Sequence, residues 1–461
     1  MIAWALIAVL QAAPERSVPE IGPLVLPQRP DIGQFELSGG AEVWVLERRD
    51  FPRIGIEVSI SWDGTTSAPK ERMGARLASM LMDSGPSLER PEALLLEDMG
   101  IQWSAGIDDE HLWGTLLAPS GREEEAIQAL SGLLLKPQLR KKSLKNRRAW
   151  WAEWRSQLEF DLDRVHERSI NHGIFRGGHA WRHMVQPDDM AATSWRTARK
   201  IPKEIARKGK LRIAVVGDVA TQDILPVLEA YFGESRGTQQ PLPSARPIPA
   251  TGPHLVDQEG FGVARISLVF LIPGQDDPKH FVAEALSRVV AGRETSRLDV
   301  ALREESGLSY SVTADITATP EWGLMRFDTE VLPENVGETL QNMKALIEDI
   351  ADEGISEEEF ESIRRGLILD RARRLERTKE AVLSLGALQR SRQAPDAYSA
   401  QAAAFGFLNA DELSEQASSI FSEGRTSWFV TGDAQVIRPQ IDAIDWTLTT
   451  DTDAASLSNS P

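Results

Sequence analysis

The chain has 461 residues, 41% hydrophobic and 26% charged, the composition of a globular protein too long for one core. Its 51 basic and 69 acidic side chains leave a net charge of −18, which opposes non-specific binding to nucleic acid or anionic lipid. With no cysteine, disulfides, thiolate nucleophiles and cysteine-ligated zinc are all excluded.

The opening apolar run, Ile2 to Leu10, is shorter than the roughly 20 residues a membrane-spanning helix needs. Followed by Gln11-Ala12-Ala13-Pro14, it reads as a signal peptide over residues 1–13, which implies export to the bacterial periplasm or cell envelope. Residues 14–234 then form a first half. Ile56 to Ser61 alternates as a strand that ends near Gly64. Met73, Leu77, Met80 and Leu81 recur at helical spacing, and Gly85-Pro86 stops that helix. Gly100 to Ser104 leads into a strand, and Leu117-Ala118-Pro119 precedes a second helical segment.

Residues 235–252, from Ser235 through Pro241, Pro247, Pro249 and Gly252, lack periodicity and read as an exposed linker. Residues 253–446 repeat the first half in order. Ile266 to Leu271 matches Ile56 to Ser61 at an offset of 210, and Gly307 to Ser311 matches Gly100 to Ser104 at 207. Val331-Leu332-Pro333 matches Leu117-Ala118-Pro119 at an offset of 214. Leu286, Val289 and Val290 supply the second helix stripe, and Ser296, with Asp299 three residues on, opens a shorter helix that Gly307 caps. Residues 447–461 read as a disordered tail. The order of strands and helices predicts an α+β fold of two duplicated domains, each an antiparallel or mixed sheet packed with helices on one face.

Four segments carry a family resemblance: Ser296-Arg297-Leu298, the block from Leu302-Arg303 to Tyr310, Gly177-Gly178-His179 and Val216-Gly217-Asp218. From about Gln34 to Asp445 the chain resembles the pitrilysin/insulinase superfamily of zinc peptidases, in particular the short, two-domain, processing-peptidase-like branch. Active members carry an inverted His-x-x-Glu-His motif on a first-half helix. Two histidines four apart share one helix face and one tetrahedral metal, and the glutamate activates the metal-bound water. The resemblance puts Ala75 and Ser79 at the histidine positions and Ala78 at the glutamate. The third ligand position falls on Trp154, beside Glu153, in a tryptophan-rich stretch expected to fill space in the vacated cleft or at an interface, or else to sit on the ordinary core face of a helix. Of the seven histidines, His179 and His183 stand four apart without an acidic base between them, and His166 and His172 are six apart. No zinc site is expected on this chain.

Arg303 and Tyr310 match a pair that, in relatives, binds the substrate backbone and stabilises the tetrahedral oxyanion. Read on their own, Arg303 is a solvated helix residue, and Tyr310 alternates with Leu308 and Val312 on the apolar face of a strand. The resemblance implies a non-catalytic subunit of a heterodimeric zinc endopeptidase. A homologous partner chain would hold the intact His-x-x-Glu-His motif and the zinc, and unfolded peptide would be the substrate. The alternative is a pseudoenzyme that serves as a peptide-binding or structural scaffold.

Overall fold

Strands β1 (Gly33–Glu36), β2 (Glu42–Glu47) and β3 (Arg53–Ser61) come first, the last two with apolar residues that must be covered. They are followed by α1 (Pro69–Met82), β4 (Gln102–Ile107), β5 (His111–Pro119), α2 (Glu123–Leu135), α3 (Leu162–Ile174), α4 (Trp195–Lys208), β6 (Leu211–Gly217) and α5 (Thr221–Phe232). The second half begins with β7 (Gly252–Asp257), β8 (Ala264–Pro273) and α6 (Lys279–Val290). A helical turn, Arg297–Asp299, runs into a π-helix, Val300–Glu305, and then into β9 (Ser309–Ala318) and β10 (Trp322–Val331). Helices α7 (Val336–Glu353), α8 (Glu357–Arg373), α9 (Thr378–Arg390), α10 (Ala397–Phe407) and α11 (Ala410–Ile420) precede β11 (Thr426–Gly432), α12 (Ala434–Ala443) and β12 (Thr450–Asp453). This computed structural model describes residues 29–64, 67–82, 98–137, 161–175, 193–240, 252–422 and 426–453, with a few isolated positions between.

The strands form two six-stranded sheets, ordered β1-β2-β6-β3-β5-β4 and β12-β7-β11-β8-β10-β9. The duplication is visible in the pairings. β2–β6 and β7–β11 are parallel, whereas β6–β3, β3–β5 and β5–β4 are antiparallel, as are β11–β8, β8–β10 and β10–β9. Ile56–Ser61 and Ile266–Leu271 thus occupy the same place in their sheets. Gly100 and Gly307, just before β4 and β9, both adopt left-handed backbone, with φ of 72° and 65°. Glu47 at the end of β2 accepts the Thr221 N–H, and Asp257 at the end of β7 accepts the Ala434 N–H, so equivalent carboxylates hold the first turns of α5 and α12.

Each half has its own core. One joins Ile56, Val58 and Ile60 to Leu77, Leu81, Leu130 and Ile213; the other joins Leu268 and Phe270 to Leu286, Phe327, Leu340 and Phe360. These cores lie between a sheet and its own helices, as expected. The opposite face of each sheet carries a helix from the other half. Ile170, Ile174 and Phe175 at the end of α3 pack on Val269, Trp322 and Phe429 of the second sheet. Ala381, Val382, Leu385 and Leu388 of α9 pack on Trp44, Leu46, Ala214 and Val216 of the first. Helices on a single face describe each half alone; in the whole chain both sheets are covered twice. Gly386 permits this approach, because a Cβ there would lie 2.3 Å from the carboxylate carbon of Glu57, which pairs with Arg390 across the seam.

Two boundary expectations change. The linker opens against the first half rather than free of it: Thr238 exchanges backbone hydrogen bonds with Lys208 and Lys210. The tail expected to lack structure from residue 447 instead adds β12, paired parallel to β7 over Thr450–Asp453. Its polar sequence conceals a strand whose pairing is made by the backbone. Residues 1–13 lie outside the described residues.

Candidate functional site

Helix α1 packs along β4 and α4, with Ala75 and Ala78 buried at 1% and 0% exposure. Neither side chain has a lone pair to offer a metal. The Ser79 hydroxyl accepts the Ile107 N–H at 2.9 Å, which ties the helix to the edge strand β4. Of the intervening positions, Leu77 is core and Arg76 is exposed, reaching Asp109 at 3.6 Å. This helix does not fit zinc: at the positions of two nitrogen ligands and a base it presents two methyl groups and an engaged hydroxyl. Trp154, His179 and His183 lie outside the described residues. Among the described residues no group of three or more His, Cys, Asp or Glu side chains is placed to hold a metal ion.

His166 is not a ligand candidate either. It sits on α3 in the seam, with Nε2 2.6 Å from Ser267 Oγ and Nδ1 2.8 Å from Thr431 Oγ1. Burial, reinforced by Arg326 and Arg265, pushes its pKa down to about 3, so the ring is neutral at pH 7. The turn between β4 and β5, beside Arg76, is acidic. Burial raises the pKa of Asp108, and burial followed by repulsion from Asp108, Asp109 and Asp63 raises that of Glu110.

Arg303 and Tyr310 are brought together. The helical turn at Ser296 does not form the expected side-chain cap: Ser296 Oγ donates instead to the Arg288 carbonyl, and Asp299 serves elsewhere. Arg297 anchors the turn by a two-pronged pair with Glu359, at 2.8 and 2.7 Å. The chain then widens into the π-helix, where Ser306 N–H reaches the Ala301 carbonyl, a form of turn common at functional sites. Gly307 closes it in left-handed backbone, with Leu308 N–H donating to the Leu302 carbonyl at 2.8 Å, as the capping expectation required.

The guanidinium carbon of Arg303 ends 5.9 Å from the Tyr310 ring centroid, a cation–π distance. Arg303 approaches Glu294 only at 4.0 Å, with its side chain 40% exposed. Tyr310 is 88% exposed. That overturns its expected place on the apolar face. In the β9–β10 pairing, Thr329 faces Val312 but Val331 faces Ser309, so three steps on β9 match two on β10. The extra residue is a β-bulge, and it shifts the alternation by one. Ser309 and Val312 both point inward, at 8% and 2% exposure, and Tyr310 turns out. The exposed pair presents a cation and a phenolic hydroxyl, donors suited to a carbonyl oxygen gaining negative charge.

Residues 203–367, from α4 to α8 and including both Arg303 and Tyr310, match the Peptidase M16 inactive domain. That segment resembles the pitrilysin/insulinase zinc peptidases, and among them the inactive-subunit kind. An uncharacterized zinc protease of Mycobacterium leprae is 26% identical to this M16-like chain over 172 residues, 35% of the chain and 38% of the relative. The chain thus spans less than half the length of the curated relatives it matches. A crystal structure of a peptidase M16 inactive domain from Pseudomonas fluorescens is similar in fold, with TM-score 0.78 at 16% identity over 87% of this chain and 98% of that one. The periplasmic protease PqqL from Escherichia coli aligns with TM-score 0.75 at 13% identity, over 94% of this chain but 50% of its own.

The signature block around Arg303 and Tyr310 was visible in the M16-like sequence, as was the substituted α1. Of the buried partners of the bulge, Asp299 was read as a helix cap, and Ser309 and Thr329 were given no role. Their signal is weak: three small polar residues next to strongly apolar positions.

Proposed function

We propose that this chain is the non-catalytic subunit of a heterodimeric zinc endopeptidase, lending Arg303 and Tyr310 to a substrate held by a zinc-bearing partner. The observation that carries this reading is the coexistence of two opposite sites. The metal-motif helix is sealed by buried alanines, whereas the arginine and tyrosine stand exposed and adjacent. An aromatic ring 88% in water gives nothing to the core; paired with Arg303 on the surface, it is free to meet a ligand from outside the chain.

The fold match to half of a longer protease chain supports the same reading, since it leaves room for a second, complementary unit. In the complex the partner supplies the zinc and the general base. Arg303 and Tyr310 bind the peptide backbone and face the oxyanion, in an envelope compartment where unfolded peptides are the substrate. The test is co-purification from the native organism followed by mass spectrometry and metal analysis. The expected result is a homologous chain with an intact His-x-x-Glu-His motif, carrying the zinc. Recovery of this chain alone, or within a metal-free assembly, would reject it in favour of a scaffold.

A further inference from the structure

We infer that Asp299, Ser309 and Thr329 are positioning residues that hold one extra residue in β9 and so keep Tyr310 turned outward. The inference rests on the proposed function for its purpose, since an outward Tyr310 matters most if it meets a substrate. The geometry stands by itself.

Strand β9 has two competing registers against β10. From Ala318 to Val312 its pairing is regular, and continuing it would set Tyr310 opposite Val331. Tyr310 would then share the inward face with Val312, and its ring would leave water. An aromatic ring favours that outcome, as does the readily buried side chain of a cysteine in its place, and a one-residue slip is all it takes. In the observed register the pairing skips, so Ser309 meets Val331 and Tyr310 with Ser311 bulges opposite Glu330.

Three buried polar groups favour the bulged register. The Ser309 and Thr329 hydroxyls lie 2.6 Å apart, and both reach the Ser311 carbonyl oxygen, at 3.0 and 3.1 Å. Ser309 Oγ also accepts the Ser311 N–H at 3.2 Å. Thr329 is 1% exposed, so without an inward Ser309 its hydroxyl would lose that bond in the core. The Asp299 carboxylate, 5% exposed, accepts the N–H of Val312 at 3.2 Å and that of Gly292 at 3.1 Å. It therefore ties the residue after the bulge to the loop before the helical turn. Arg303 lies on the stretch of chain between these two amides.

The absence of cysteine makes the test direct, because a Tyr310→Cys chain carries a single thiol. Its rate of labelling by a maleimide is measured alone and with Thr329→Val, Thr329→Ser or Asp299→Ala added. Thr329→Val keeps the shape and removes the hydroxyl; Thr329→Ser keeps the hydroxyl. The expected result is labelling at least about tenfold slower with Thr329→Val and Asp299→Ala, as the outward register falls to a tenth of the population. Thr329→Ser should label at the parent rate. Unfolding would leave the thiol in water, as the outward register does, so slower labelling cannot come from an unfolded chain. Equal rates in all four chains would overturn the inference. The readout needs no partner, so it stays distinct from whether Tyr310 acts on a substrate.

Discussion

His166 on α3 and Ser267 on β8 share a 2.6 Å hydrogen bond that crosses from one half of the chain to the other. Ser267 in turn donates to Asp328, which Arg326 grips at 2.8 Å while also pairing with Glu167 on α3. Beside this polar seam lies the apolar one formed by Ile170, Ile174 and Phe175. The second seam, where α9 lies on the first sheet, is the reciprocal arrangement. Each half completes the other, so the spatial relation between α1 and the Arg303–Tyr310 unit is fixed by two packed interfaces rather than by the linker.

This seam should make stability depend on pH. His166 has a folded pKa of about 3 against an ordinary value near 6.5, so below 6.5 the unfolded chain takes up a proton that the folded chain does not. Its contribution is fully present above about pH 6.5 and is lost as pH falls towards 3, by roughly 1.4 kcal/mol per unit in the steepest part. His111, lowered to about 4 chiefly by burial, adds a dependence of the same sign. Denaturant melts across this range should show a shallower slope for His166→Gln than for the parent. Identical slopes would mean that His166 is protonated in the folded chain.

The α9 seam should be essential to the first half. Leu385 is fully buried against the first sheet, and truncating it to alanine should cost about 2–5 kcal/mol, read from urea melts. Because the helices are exchanged, a chain cut once between Gln240 and Ile248 should remain a single species on gel filtration. Separation into two stable halves would show that the seams add little.

Restoring the metal motif should not restore a metal site. Ala78 is fully buried in the first core, so Ala78→Glu forces a carboxylate into apolar surroundings and should lower the melting temperature by several degrees. The triple change Ala75→His, Ala78→Glu, Ser79→His should bind zinc far below one ion per chain, since a third ligand is still required. Stoichiometric zinc by elemental analysis, with chelator-sensitive peptide cleavage, would show that the rest of the site survives.

Much of the fold was legible because it is written locally. Alternation marked β3 and β8, helical spacing marked α1 and α6, and the left-handed glycines Gly100 and Gly307 marked equivalent corners. What escaped depends on a second element. Parity placed Tyr310 inside, and only the pairing of Val331 with Ser309 reveals the bulge that turns it out. Nothing in Thr378–Arg390 announces that its apolar stripe covers the other half's sheet, and Thr450–Asp453 has no apolar residue to betray a strand. Asp299 looked like half of a capping box; its carboxylate is spent on the amides of Gly292 and Val312.

The most direct measurement is the turnover of a peptide by the complex assembled with its zinc-bearing partner, comparing parent, Arg303→Ala and Tyr310→Phe. If both side chains face the oxyanion, each variant should lower kcat by about a hundred- to a thousand-fold, with co-elution and thermal melts unchanged. Loss of a mere surface arginine would shift stability by less than about 0.5 kcal/mol and leave the rate alone. Variants that assemble normally and cleave at the parent rate would contradict the proposed function.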